Sequence, residues 1–115
     1  MRYAILDTFE KQERGLQHLT RIDPDLVLVF PYVEPGWVFH SRNVPEPFDL
    51  AFVSRDRRVL LLETVHPPTG TLRAPAGSWM ALESAAGSLS GLGLGPDSLI
   101  DDILRRADEA LERVR

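Results

Sequence analysis

The sequence has no cysteine, so disulfides, thiol nucleophiles and cysteine-based zinc sites are excluded together. Lysine is almost missing too. Lys11 is the single lysine among 13 basic residues, a bias that records a GC-rich genome more than a demand for guanidinium chemistry. No run approaches the roughly 18 apolar residues of a membrane-spanning helix. "MRYAILDTFEKQERG" offers only "YAIL" before charge begins, short of the roughly 7–15 apolar residues of a secretory signal. These absences predict a soluble protein that stays in the cytoplasm where it is made, with no membrane partner. A phosphate-binding footprint is missing as well: 13 basic residues face 17 acidic ones, for a net charge of −4. Arg55, Arg57 and Arg58 form the one tight basic cluster, and Asp56 interrupts it. Direct nucleic-acid binding is not expected.

What is present fits one domain. A chain of 115 residues can bury roughly two-thirds of its unfolded surface, enough for a core without covalent staples. "RYAIL" reads as a first strand. "DTFEKQERGLQHL" follows, with Asp7 or Thr8 as N-cap and Phe9, Leu16 and Leu19 on roughly one face. Gly15 weakens the last turn or ends it, which predicts a short helix near residues 8–14. "LVLVFPYV" is continuously apolar, as a strand covered on both faces should be. "WVFHSR" alternates as a half-buried strand, and "NVPEP" breaks it because its prolines remove donors. "FDLAFVS" places Phe48, Leu50 and Phe52 on one face with Asp49 and Ala51 on the other. "RDRR" is a polar turn into the strand "VLLLETV". "HPPTGTLRAPAG" reads as a loop, "SWMALES" as another strand, and "AAGSLSGLGLGP" as one helical turn with a glycine-rich connection. "GLGLGP" has neither the lysine of a P-loop nor the spacing of a dinucleotide fingerprint. The class is α+β, mostly β.

The carboxy-terminal segment "PDSLIDDILRRADEALERVR" has a different character. Asp97 or Ser98 caps it, acids are concentrated early, and Ile100, Ile103, Leu104, Ala107, Leu111 and Val114 form a stripe at helical period. Residues 1–97 read as one compact domain and 98–115 as an added amphipathic helix. That helix packs either on the domain or on a partner through Ile100, Ile103, Leu104, Leu111 and Val114.

Along "ERGLQHLTRIDPDLVLVFPYVEPGWVFHSRNVPEPFDLAFVSRDRRVL" the chain resembles the domain-of-unknown-function-192 family of bacterial, archaeal and phage-borne proteins. Arg14, Gly15 and Leu16 match its Arg-Gly-Leu element, and Phe30 and Pro31 its Phe-Pro strand end. "FHSRN" matches its aromatic strand closed by a basic residue and asparagine. Pro47, Asp49, Leu50, Ala51 and Phe52 match its Pro-x-Asp-(Ile/Leu)-Ala-Phe element, and Leu82, Glu83 and Gly87 its Leu-Glu followed by glycine. The likeness covers residues of about 12 to 99. Ser41 stands where methionine is usual, "RDRR" replaces an Asp-Gly turn, and Pro96-Asp97 replaces a closing Gly-Asp. The resemblance implies a small barrel-like sheet with a short amino-terminal helix, and almost nothing about function.

Two groups of polar residues then need a role. Asp49, set between Phe48 and Leu50, needs a partner if buried, and Arg14 or Arg42 could supply one. Arg14, Asn43, Asp49 and Glu83 are the candidates for a folding clasp. Trp37, His40, Arg42, Asn43, Asp49 and Trp79 are the candidates for a ligand site, a carbohydrate among the ligands considered. His18, His40 and His66 are too widely spaced for a local metal motif, and no serine sits in a G-x-S-x-G elbow. No cofactor, metal or catalytic group is therefore assigned. The leading expectation is a non-catalytic protein–protein interaction or assembly module, self-associating or built into a larger particle such as a phage virion. Small-ligand binding is the alternative.

Overall fold

The computed structural model describes residues 2–92 and Leu94. The expected carboxy-terminal helix, with its stripe from Ile100 to Val114, lies outside the described residues, as does the proposed boundary at residue 97. Seven strands and two short helices are described: β1 (Arg2–Ile5), α1 (Phe9–Arg14), β2 (Leu26–Phe30), β3 (Val38–His40), β4 (Phe48–Ser54), β5 (Val59–Val65), β6 (Thr71–Arg73), β7 (Ser78–Ala85) and α2 (Ser88–Gly91). Among the described residues no helix is long and apolar enough to cross a membrane.

Five strands form one sheet in the order β1-β2-β7-β4-β5, and β3 pairs with β6 as a separate ribbon. The barrel-like sheet implied by the family resemblance is therefore corrected: the main sheet is open, with β1 and β5 as its edges. The polypeptide between β3 and β4 explains part of this. β3 stops after three residues at a turn, closed by the Val44 N–H on the Ser41 carbonyl at 3.1 Å with Asn43 at φ 61°. The ribbon corrects a second expectation, because β6 lies inside the segment read as a loop. Ser41 pins that segment: its N–H and hydroxyl both reach the Gly70 carbonyl, at 3.0 Å each. Gly70 must be glycine there, since a Cβ would stand 2.6 Å from the His66 carbonyl oxygen.

The centre of the sheet is buried on both sides. β4 and β7 pair antiparallel with Leu50 opposite Glu83 and Asp49 opposite Ser84. Side chains alternate across the sheet. Phe48, Leu50, Phe52 and Ala81 therefore join Leu28 and Phe30 in one cluster, while Val27, Val29, Ala51, Val53 and Leu82 join Leu89 of α2 in the other. Any polar group on these strands is buried by the same register.

Asp49 is one such group. Its Oδ1 accepts from the Thr64 hydroxyl at 2.8 Å, and its Oδ2 from the N–H groups of Gly87 and Leu89 at 2.9 and 3.3 Å. α2 has no capping side chain of its own, and its N-cap is Gly87, whose φ is 85°. Asp49 supplies the missing acceptor from a strand 38 residues away in sequence. The arginine pairing expected for this carboxylate does not occur; backbone amides and a threonine take its place.

The Asp49→Ala substitution strands the buried Leu89 amide, the partly buried Gly87 amide and the Thr64 hydroxyl, and is expected to cost about 1–3 kcal/mol. Urea unfolding would read the loss. Unchanged stability would show that water replaces the carboxylate without penalty.

Candidate functional site

α1 is unusual in burying no side chain at all. Thr8 caps it by accepting the Lys11 N–H at 3.2 Å, and Gln12 Nε2 ties it to the Leu6 carbonyl at 2.9 Å. Gly15, with φ 46°, then ends it. The helical period stops there, so the single face expected from Phe9, Leu16 and Leu19 is not formed. Leu16 is buried, Phe9 is 78% exposed and Leu19 is exposed. A helix that puts nothing into the core leaves space under it.

That space is a cavity of about 340 Å³ between α1 and β3. Gln12, Glu13 and Arg14 of α1 form one rim, and Val38 and His40 of β3 the other. Phe30, Phe39, Leu16 and Val44 make apolar walls, and Glu83 reaches it from the central strand β7. Phe30 and Phe39 meet edge to face at 5.1 Å, which fixes both rings.

Glu83 is the chemically distinctive residue. It is only 5% exposed, and its Oε1 has no hydrogen-bond partner. Ser78 Oγ is the other such atom among the described residues, and it carries no charge. Burial pushes the Glu83 carboxyl up from its ordinary 4.5 to about 8, because an ionised carboxylate there would lose its water with no cation in exchange. Gly15 is the close neighbour. A Cβ at that position would lie 3.2 Å from Glu83 Oε1, so the glycine leaves the carboxyl room on the cavity side.

The predicted site residues separate. Trp37 and His40 line the cavity. Arg42 and Asn43 are exposed; Asn43 adopts φ 61°, and its carbonyl accepts the His18 N–H at 2.8 Å. His40 Nδ1 accepts the Arg42 N–H at 3.1 Å. Asp49 lies on the opposite face of the sheet from Glu83, so Arg14, Asn43, Asp49 and Glu83 do not make one clasp. Trp79 is outside the cavity, stacked edge-on against Tyr32 with the Arg55 guanidinium over its ring. Tyr32 also meets Trp37, so the two tryptophans are linked through a residue that sequence reasoning passed over. Phe30, Phe39, Gln12 and Val44 were passed over as well. The one available signal was an acid in mid-strand, between Leu82 and Ser84, with the small Ala81 two residues before it. Among the described residues no group of three His, Asp or Glu side chains is placed to hold a metal ion.

The model of the DUF192 family, described as uncharacterised, matches residues 1–101. The chain belongs to the DUF192 family. Among solved structures, this DUF192 domain resembles a protein of unknown function from Novosphingobium aromaticivorans at 27% identity. The TM-score is 0.74, with 86% of this chain and 73% of the other covered. It also resembles a Sinorhizobium meliloti protein described as a proposed transcription regulator. That match has 20% identity, a TM-score of 0.72, and coverage of 84% and 78%; it speaks to the fold alone. No curated protein matches the sequence.

The raised Glu83 pKa gives a pH dependence of stability. The folded chain keeps this proton up to about 8, whereas the unfolded chain releases it near 4.5. Its contribution is complete below the lower value and is lost as pH rises through the upper one. Between about pH 5 and about pH 8.5 the wild type should lose on the order of a few kcal/mol more than Glu83→Gln, read from urea midpoints. Parallel profiles would show that the carboxyl titrates as if in water.

Proposed function

We propose that this domain binds a small molecule in the cavity between α1 and β3. The observation that carries the proposal is the combination of apolar, largely aromatic walls with one unpartnered buried carboxyl. Ligand sites have this composition: mostly apolar lining, with few polar groups that fix orientation. The reading favours binding over turnover. The lining holds no serine, threonine or lysine to act as a nucleophile, and His40 already spends Nδ1 on the Arg42 amide. Trp37 and His40 keep their place in the ligand reading. Trp79, Asp49, Arg42 and Asn43 are not among the residues lining the cavity.

A titration with single-ring fragments, followed by backbone amide shifts, tests this reading. Shifts should concentrate on residues 12–17, 38–44 and Glu83, and Val38→Trp at the exposed rim should weaken them by about tenfold or more. Shifts centred on Trp79 and Tyr32 would overturn it and move the site to the outer aromatic group.

The assembly reading rests on the stripe of Ile100, Ile103, Leu104, Leu111 and Val114, outside the described residues. It expects that deleting residues 98–115 abolishes self-association or partner capture while the remaining domain stays folded, as light scattering and circular dichroism would report. Unchanged association after the deletion would count against it.

A further inference from the structure

We propose that the cavity beside Gly15 takes a small organic cation, a primary ammonium on an apolar body, with Glu83 as its counter-charge. The proposal rests on the binding reading above and names the ligand class.

Three observations converge on a cation. The Glu83 side chain is 95% buried by its 5% exposure, its Oε1 is unpartnered, and it lies in the cavity wall. No described ion pair includes it, so among the described residues no side chain supplies a cation to this carboxyl. The neighbouring walls are rings: Phe30 from β2, Phe39 from β3 and Trp37 just before β3. Ring faces attract a cation, and more strongly once it is desolvated.

The other charges around the cavity decide between ligand classes. α1 contributes Glu13 and Arg14, β3 contributes His40, and β7 contributes Glu83. An anionic ligand would enter beside two carboxyl groups, with the exposed Arg14 and the imidazole of His40 as the basic groups to meet it. A cation meets Glu83 below and Glu13 at the rim, while Arg14, on the exposed helix, is free to turn toward solvent.

Binding is then a proton exchange. The neutral Glu83 carboxyl releases its proton to water as the ammonium enters, leaving a carboxylate that accepts an N–H bond from the ligand. Glycine at position 15 keeps that approach open, since any larger residue would put a Cβ 3.2 Å from Oε1. Because Glu83 holds its proton up to about 8, affinity should climb by up to about tenfold per pH unit below that point. It levels off above it, until the amine itself loses its charge near ~10.

Calorimetry on the full chain with methylammonium, butylammonium and benzylammonium tests this, run near neutral pH in two buffers of different ionisation enthalpy. Butylammonium and benzylammonium should bind with close to one proton released, methylammonium more weakly for lack of an apolar body. Glu83→Gln should reduce benzylammonium affinity by about tenfold or more and abolish the proton release, with the amide spectrum unchanged elsewhere. Val38→Trp, which leaves the carboxyl intact, should weaken the same ligand by blocking the rim. Benzyl alcohol separates the two levels of the reading. If it binds as well as benzylammonium at the same residues and without proton release, the cation proposal fails and the pocket stands. If neither alcohol nor amine shifts residues 12–17 or 38–44, both fail.

Discussion

The register between β4 and β7 is the constraint on which the rest depends. Both strands are buried on both faces, so every polar side chain they carry is taken from water and must be compensated inside the protein. Leu50 opposite Glu83 and Asp49 opposite Ser84 put the two acids on opposite faces. A slip of one residue would exchange those faces and bury the wrong side chains throughout. The register holds because Phe48, Leu50 and Phe52 fill one side while Ala51, Val53 and Leu82 fill the other.

The two faces then treat their acids differently, and the neighbouring turns explain why. Beyond β7 the chain makes a tight turn at Gly87, and the first turn of α2 presents amides that need an acceptor. Asp49 receives them, so that face is closed and satisfied. On the other face α1 lies beside Glu83, and it is six residues long and buries none of them. Gly15 ends it before another turn could bring an apolar side chain over Glu83. One acid is therefore stitched into the fold, and the other is left facing a cavity.

Much of this was legible in the sequence. The strands from "LVLVF", "FDLAFVS" and "VLLLETV" follow from apolar pattern, and Thr8 as a cap follows from its place before Phe9. The family resemblance rested on the same stretches, and the match over residues 1–101 agrees with it. What could not be read was long-range pairing. β6 is three residues inside a segment with three prolines and two glycines, and it exists because β3 and Ser41 meet it across the fold. The same gap hid the cavity: nothing local to Glu83 says that Gly15 and Phe39 will surround it. Trp37 and Trp79 look alike in sequence, yet only the first lines the cavity; the second is the β7 residue left unpaired where the register shifts between Val53 and Ser54.

An acid in the position of Glu83 works against stability. An apolar side chain of similar size would remove the unpartnered oxygen and fill part of the space beneath α1. The strand around it is built as if to keep that space, with Ala81 two residues before Glu83 and Ala85 two residues after, on the same face. The cost is contained by protonation, which keeps the group neutral. Sites that violate the rules of a packed core tend to be where a fold meets its ligand. In this domain only one described side chain is at once buried, ionisable, unpartnered and open to a cavity, and it projects from the central strand of the main sheet.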